Sequence, residues 1–157
     1  MCACVIWVNY IVGTKVYSRR ILQDVTGVRV LGSVMTKPHK CGIDRWLYSL
    51  EGREKSQSYD LLATDIRCRM VGKTLLITGD GDTAALHEAL TKALPDVQIL
   101  DCGDILSQAS AVTALSSSDA VVLVEHCGVS RYNRVNDRIS LIADYGKQLI
   151  GCVLLDG

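Results

Sequence analysis

Residues 73–78 (KTLLIT) and 120–125 (AVVLVE) decide the fold of this chain. Both runs are short and almost entirely apolar, which is typical of strands that a parallel sheet buries on both faces. Comparable runs lie at residues 97–101 and 149–155, and helix-length segments separate these four runs. Residues 28–34 (VRVLGSV) are predicted as a further strand, in the region before the sheet. We therefore predict an α/β fold, in which a mostly parallel sheet forms the middle of three layers and helices cover both of its faces.

The helices between these runs are predicted by their apolar periodicity and by their start and stop residues. Pro95 ends a helix that begins after Asp82, which has the residue type of an N-cap. A second helix runs from Ser130 to Gly146, with apolar positions at steps of three and four: Tyr132, Val135, Ile139 and Ile142. Three further helices are expected to begin at Ser18, at Ser56 or Ser58, and at Asp104 or Ser107.

The bulk composition excludes several classes of function. The 157 residues suit one domain, and 17 basic residues balance 17 acidic ones, so no basic field exists to gather nucleic acid. The seven cysteines include no Cys-x-x-Cys pair, and the histidines have no metal-ligand spacing. We predict reduced thiols in the cytosol, no metal site, no cofactor and no nucleic-acid partner.

The first 13 residues (MCACVIWVNYIVG) are uncharged and apolar, and Lys15, Arg19 and Arg20 follow them. Thirteen helical residues rise about 20 Å, which is short of the roughly 30 Å hydrocarbon core of a bilayer. They are either a buried first element or the end of a membrane-spanning helix. The basic residues that follow favour the membrane-spanning helix, because cytoplasmic flanks of such helices are enriched in lysine and arginine. We predict three regions: residues 1–13 as this apolar segment, 14–70 as a juxtamembrane and linker region, and 71–157 as the α/β domain.

A triplet at residues 72–74 (Gly-Lys-Thr) is similar to the end of a phosphate-binding loop. That loop also requires a glycine five residues before the first of these, where Arg67 stands, and it must connect a strand to a helix. Here the triplet precedes a strand, so we reject the assignment.

The strand-to-helix turn that does follow the first buried strand is Gly79–Asp80–Gly81–Asp82–Thr83. It contains no lysine, and its two carboxylates lie where phosphates would bind. Like charges about 4 Å apart cost roughly 1 kcal/mol in water and more when they are desolvated. We therefore predict that this turn is a degenerate loop that does not bind a nucleotide.

Residues 99–124 (ILDCGDILSQASAVTALSSSDAVVLV) resemble the region around the second nucleotide-binding motif of bacterial polysaccharide-export tyrosine kinases. In that family a strand ends in Asp-Thr-Pro-Pro, and another Asp opens the next strand about eighteen residues later. Asp101 and Asp119 have this spacing. Residues 149–155 (LIGCVLL) are similar to the family's last strand, and residues 18–34 resemble the juxtamembrane segment of polysaccharide chain-length determinants.

The resemblance implies a truncated fold of the P-loop-kinase-like or Rossmann-like kind, but several departures weaken its catalytic implications. The turn at Gly79 lacks the family's Gly-Lys-Ser/Thr, and Cys102-Gly103 replaces Thr-Pro after Asp101. At the positions of the family's oligomerisation motif, Glu-x-x-Arg-x-x-Arg, this sequence has Gln57, Asp60 and Ala63. No tyrosine cluster follows the last strand. We assign no catalytic residue, and we expect Asp101 to have a capping or structural role.

The resemblance implies a non-catalytic regulatory or docking domain in capsular or exopolysaccharide biosynthesis, at the cytoplasmic face of the bacterial inner membrane. The expected partners are polysaccharide-export or polymerase proteins and, through residues 1–13, the membrane; homo-oligomerisation stays open. Two alternatives remain: a divergent tyrosine kinase or ATPase, and a small α/β ligand-binding module. Because parallel strands end at one edge, Asp80, Asp82, Asp101 and Glu125 are expected to surround a shallow acidic depression suited to a cationic partner.

Overall fold

The computed structural model describes residues 15–16, 19–35 and 55–156 of the chain. The strands within these residues are β1 (Val30–Met35), β2 (Thr74–Gly79), β3 (Gln98–Asp101), β4 (Ala120–His126) and β5 (Gln148–Asp156). The helices are α1 (Arg19–Thr26), α2 (Lys55–Arg69), α3 (Ala84–Ala93), α4 (Ala109–Ser117) and α5 (Tyr132–Asp144). Strands and helices alternate along the chain, as the apolar runs and the helix periodicity predict.

The five strands form one sheet in the order β1-β5-β4-β2-β3, and every neighbouring pair is parallel. Leu75 at the start of β2 lies opposite Ile99 on β3 and Ala120 on β4. The predicted parallel α/β fold is therefore confirmed. Each predicted strand agrees with the observed one to within one or two residues at either end.

Helices cover both faces of the sheet, and the side chains of each strand alternate between them. Leu75 and Ile77 of β2 lie in a core on the α2 and α3 face, together with Leu62 and Leu86. Leu76, between them, lies in the opposite core. Helices α1, α4 and α5 pack on that second core through Leu22, Ala111, Leu115, Val135 and Ile142. Period-two alternation into two buried faces is the reason the strands are apolar throughout.

The predicted boundary between residues 70 and 71 is not a boundary of the folded unit. Strand β1 lies within residues 14–70, yet it pairs with β5. Helix α2 places Leu62, Ala63 and Ile66 in the same core as Leu75 of β2. An apolar helix face is buried against a neighbouring element, so β1 and α2 both belong to the α/β domain.

Some predictions concern residues that the structure does not describe. The apolar segment at residues 1–13 and the loop predicted at residues 36–42 both lie outside the described residues. Within residues 15–16, 19–35 and 55–156, no helix combines the length and the hydropathy needed to cross a membrane.

Candidate functional site

Strands β2 and β4 are neighbours, but the helices that follow them lie on opposite faces of the sheet. Helix α3 follows β2 and packs on one face, whereas α5 follows β4 and packs on the other. In an open parallel sheet, such a divergence leaves a crevice beyond the carboxyl ends of the two strands, and ligands bind there. This crevice is the candidate site that the topology indicates.

The crevice is occupied by the guanidinium group of Arg138, which extends from α5. Its Nη1 donates to both carboxylate oxygens of Glu125 at the end of β4, at 2.8 and 2.9 Å. Its Nε donates to Oδ1 of Asp104, in the β3–α4 loop, at 2.8 Å. Its Nη2 lies 3.6 Å from Oδ1 of Asp80, in the β2–α3 turn. One buried side chain thus joins three segments at the carboxyl edge.

Asp104 is the most heavily bonded carboxylate of this cluster. Besides Arg138, it accepts hydrogen bonds from Arg134 Nη2 at 2.9 Å, from the Leu106 amide at 3.1 Å and from the Ser107 hydroxyl at 2.8 Å. Partial burial acts to raise the pKa of Asp104, but the bonds from Arg138, Leu106 and Ser107 outweigh it and lower the pKa to about 2. Asp104 is therefore a fixed anion at physiological pH.

The side chains of Arg138 and Glu125 are both 0% exposed. For each of them, burial shifts the pKa in one direction and ion pairing shifts it in the other. Desolvation raises the pKa of Glu125 more than the charge of Arg138 lowers it. For Arg138, burial alone would lower the pKa, but the hydrogen bond to Asp104 and the charges of Glu125, Asp104 and Asp80 raise it well above its ordinary value. The guanidinium therefore stays charged, and it neutralises part of the acidic cluster from within.

The β2–α3 turn packs closely against strands β4 and β5. Gly79 has φ +154°, and a Cβ there would lie 1.8 Å from the carbonyl oxygen of Val124 on β4. The next amide, of Asp80, donates to that same oxygen at 2.9 Å. A Cβ on Gly81 would lie 2.6 Å from Leu155 Cδ1. The glycines of this turn thus allow close contact with neighbouring strands, which is a structural reason for their presence.

The side chains of Asp82 and Thr83 bond to groups outside the turn. Asp82 Oδ1 accepts a hydrogen bond from the Ala84 amide at 3.1 Å, and the Thr83 hydroxyl donates to Asp101 Oδ2 at 2.6 Å. Helix α3 begins at Ala84 with Thr83 at the N-cap position, one residue later than the sequence predicts for Asp82. The Asp101 carboxylate therefore holds Thr83, the residue that joins the turn to α3.

Thr78, buried on β2, attaches the β3–α4 loop to the sheet. Its hydroxyl donates to the carbonyl oxygen of Gly103 at 2.7 Å and accepts from the Ile105 amide at 3.2 Å. Because Asp104 lies between these two residues, Thr78 also determines where that carboxylate meets Arg138.

The Gly72-Lys73-Thr74 triplet lies at the opposite edge of the sheet, where its last residue, Thr74, begins β2. The amides of Lys73 and Thr74 both donate to Asp119 Oδ2, at 2.9 Å each. These two bonds lower the pKa of Asp119. Two backbone amides of the triplet therefore bind a carboxylate of the chain itself.

The four carboxylates predicted to gather at one edge do lie at the carboxyl ends of β2, β3 and β4 or just beyond them. The expectation of an open acidic depression is wrong for Glu125, which is fully buried and paired with Arg138. Asp82 and Asp101 are exposed, and Asp80 is 28% exposed. Burial of Glu125 follows from its position on the central strand β4, where every preceding residue is also buried.

Sequence reasoning missed Arg138, Asp104 and Arg134 as members of the site. A signal for Arg138 was present, because it follows Val135 by three residues and precedes Ile142 by four, on the buried side of α5. An arginine at an apolar position indicates a buried anionic partner. The sequence does not indicate which carboxylate that partner is.

Comparison with known proteins shows similarity in structure alone. No family model and no curated protein matches the sequence. The crystal structure of the chimerical protein CapA2B2 has a TM-score of 0.69 and 11% sequence identity, covering 88% of this chain and 98% of the other. The BceF tyrosine kinase domain has a TM-score of 0.65 and 11% identity, covering 90% and 99%. The chain therefore has the α/β fold of a known tyrosine kinase domain.

Proposed function

We propose that this chain is a non-catalytic regulatory or docking domain of a membrane protein that acts in capsular or exopolysaccharide biosynthesis and export. The fold shared with the BceF tyrosine kinase domain and the sequence resemblance at residues 99–124 support this setting. The observation that carries the non-catalytic part is the Arg138 guanidinium, which occupies the crevice between β2 and β4.

A phosphoryl-transfer site needs cationic groups that reach the transferred phosphate and amides that surround it. In the part of the chain that the structure describes, the Arg138 guanidinium reaches to 3.6 Å from Asp80 of the turn, but its side chain has no exposed surface. The Asp80 amide is bonded to Val124, and the Ala84 amide at the start of α3 is bonded to Asp82. A phosphate placed at this turn would therefore meet carboxylates and two amides that are already bonded, so it would be repelled.

The exposed carboxylates Asp82 and Asp101 suit a cationic segment of a partner better than they suit an anionic ligand. Polysaccharide-export or polymerase proteins carry such segments where their membrane helices enter the cytoplasm, because those flanks are enriched in lysine and arginine. In this proposal the domain is held at the cytoplasmic face of the membrane by residues 1–13, and the carboxyl edge of its sheet meets the partner.

Titration calorimetry with Mg²⁺-ATP tests the non-catalytic assignment on the full chain, with the BceF tyrosine kinase domain as the positive control. We expect a dissociation constant no tighter than about millimolar, which corresponds to about 4 kcal/mol of binding free energy. Micromolar affinity would overturn the proposal. Phosphate transfer that appears only when a second protein is added would favour the alternative of a divergent kinase.

A matched pair of variants separates charge repulsion from closure of the crevice. Asp82→Asn removes a carboxylate at the turn, whereas Asp144→Asn makes the same change at the far end of α5. We expect neither variant to bind Mg²⁺-ATP at micromolar concentration, because Arg138 still fills the crevice. Tight binding by Asp82→Asn alone would show that the turn is a nucleotide site suppressed only by charge.

A further inference from the structure

The start of the described chain is attached to the loop that follows β4. The Val16 amide donates to the Ser130 carbonyl oxygen at 2.9 Å, and the Gly128 amide donates to the Val16 carbonyl oxygen at 2.7 Å. Lys15 forms an antiparallel bridge with Arg131. Val16 is fully buried. The chain therefore enters the domain at the carboxyl edge of the sheet, beside the residues that hold Arg138.

Ser130 belongs both to this attachment and to the buried charge cluster. Its carbonyl oxygen accepts from Val16, and its side chain is fully buried. The same hydroxyl accepts from the amide of His126, the residue after Glu125, at 2.8 Å. Burial raises the pKa of Glu125, and the Ser130 side chain is among the groups that oppose this rise. A displacement of residue 16 therefore displaces the residue whose side chain holds the end of β4, next to Glu125.

The bonds continue from Glu125 through Arg138 to two loops. Glu125 accepts from Arg138 Nη1, Arg138 Nε donates to Asp104, and Nη2 lies 3.6 Å from Asp80. Nη2 is buried and makes no hydrogen bond to any described residue, so the Asp80 contact is the weakest of the three. The β2–α3 turn is thus the segment that a small shift of Arg138 would release first.

We infer that Ser130, Glu125 and Arg138 couple the attachment of residues 15–16 to the order of the β2–α3 turn (79–83) and the β3–α4 loop (102–108). Buried charges that lose a partner are left without water, so the cluster is either fully assembled or broken, and intermediate arrangements are unfavourable. Binding or tension on the chain before Lys15 then changes the surface that the carboxyl edge presents. This inference holds whether or not the domain binds ATP.

Hydrogen exchange of the full chain, read by mass spectrometry, tests the coupling. Ser130→Ala removes the hydroxyl that accepts from the His126 amide beside Glu125. We expect exchange to become at least tenfold faster in residues 79–83 and 102–108, as well as locally in residues 126–130. The control is Ser118→Ala, because Ser118 is equally buried and bonds a backbone carbonyl at the opposite edge of the sheet.

A second variant tests the coupling in the opposite direction, from the β3–α4 loop to residue 16. It also tests the inference if Ser130→Ala does not fold. Asp104→Asn changes a residue that lies across the cluster from residue 16, and we expect at least threefold faster exchange of the Val16 and Gly128 amides. Exchange that rises only in the segment of the substitution, in either variant, would overturn the inference. Equal effects of Ser118→Ala on residues 79–83 would overturn it as well.

Discussion

Arg138 on α5 donates through Nη1 to both carboxylate oxygens of Glu125 on β4, at 2.8 and 2.9 Å, and neither side chain is exposed to solvent. A buried ion pair adds little net stability, because desolvation of two charges offsets their attraction. Its removal is costly when only one partner is lost. The pair is therefore better understood as fixing the arrangement of the carboxyl edge, and its energetics can be tested by single and double substitutions.

Arg138→Met leaves Glu125 and Asp104 without their shared cation. We expect the free energy of unfolding to fall by about 3–5 kcal/mol, as for other buried charges that lose a partner. The double variant Glu125→Gln/Arg138→Met removes both buried charges of the pair and should recover at least half of that loss. Urea denaturation measures both. Arg134→Met, which removes a half-exposed arginine from Asp104, should cost less than about 1 kcal/mol.

Asp104→Asn tests the low pKa of that carboxyl. Because its folded pKa of about 2 lies below the ordinary value of 3.8, the ionised form stabilises the fold, and this contribution is fully present above pH 5. It is lost as the pH falls through about 2. We expect the variant to be about 2 kcal/mol less stable at pH 7, with a smaller difference at pH 3. An equal difference at both pH values would contradict the assignment, and exposed Asp96→Asn is the control.

Gly79→Ala tests the close contact of the turn with β4. A Cβ at residue 79 would lie 1.8 Å from the Val124 carbonyl oxygen, so backbone must move. We expect a loss of about 3 kcal/mol or more in unfolding free energy. Gly146→Ala is the control, because Gly146 also has a positive φ, of +64°, but nothing lies within 4 Å of its Cβ position. That variant should cost only about 1 kcal/mol, and similar losses in the two would refute the contact.

Thr78→Val replaces a buried hydroxyl by a methyl group of similar shape. The Gly103 carbonyl and the Ile105 amide then lose their partner in a buried position. We expect a loss of about 2 kcal/mol in thermal or urea unfolding, which is the usual cost of unsatisfied buried groups. Thr91→Val on the exposed side of α3, where the hydroxyl bonds only the His87 carbonyl, should change stability by less than about 0.5 kcal/mol.

The amino-acid sequence alone predicted the layers of this protein. Runs such as residues 120–125 contain no alternation, because β4 buries both of its faces, and that requirement is met by residue type without knowledge of the partners. The helix periodicity likewise predicts α3 and α5 to within two or three residues at their ends. The inclusion of β1 in the sheet was not predicted, because its partner β5 lies more than a hundred residues later in the chain.

The charge arrangement at the carboxyl edge was decided by the tertiary structure. On α5, both Arg138 and Ile139 lie near the apolar side, and the apolar periodicity predicts Ile139 as the buried residue. Arg138 is the fully buried one because Glu125, Asp104 and Asp80 come from three different segments and meet at the crevice between β2 and β4. Burial of a single apolar residue depends on its own hydrophobicity, whereas burial of a charge depends on partners that are distant in sequence. For that reason the sequence determined the sheet and its layers, and only the folded chain determined what fills the crevice.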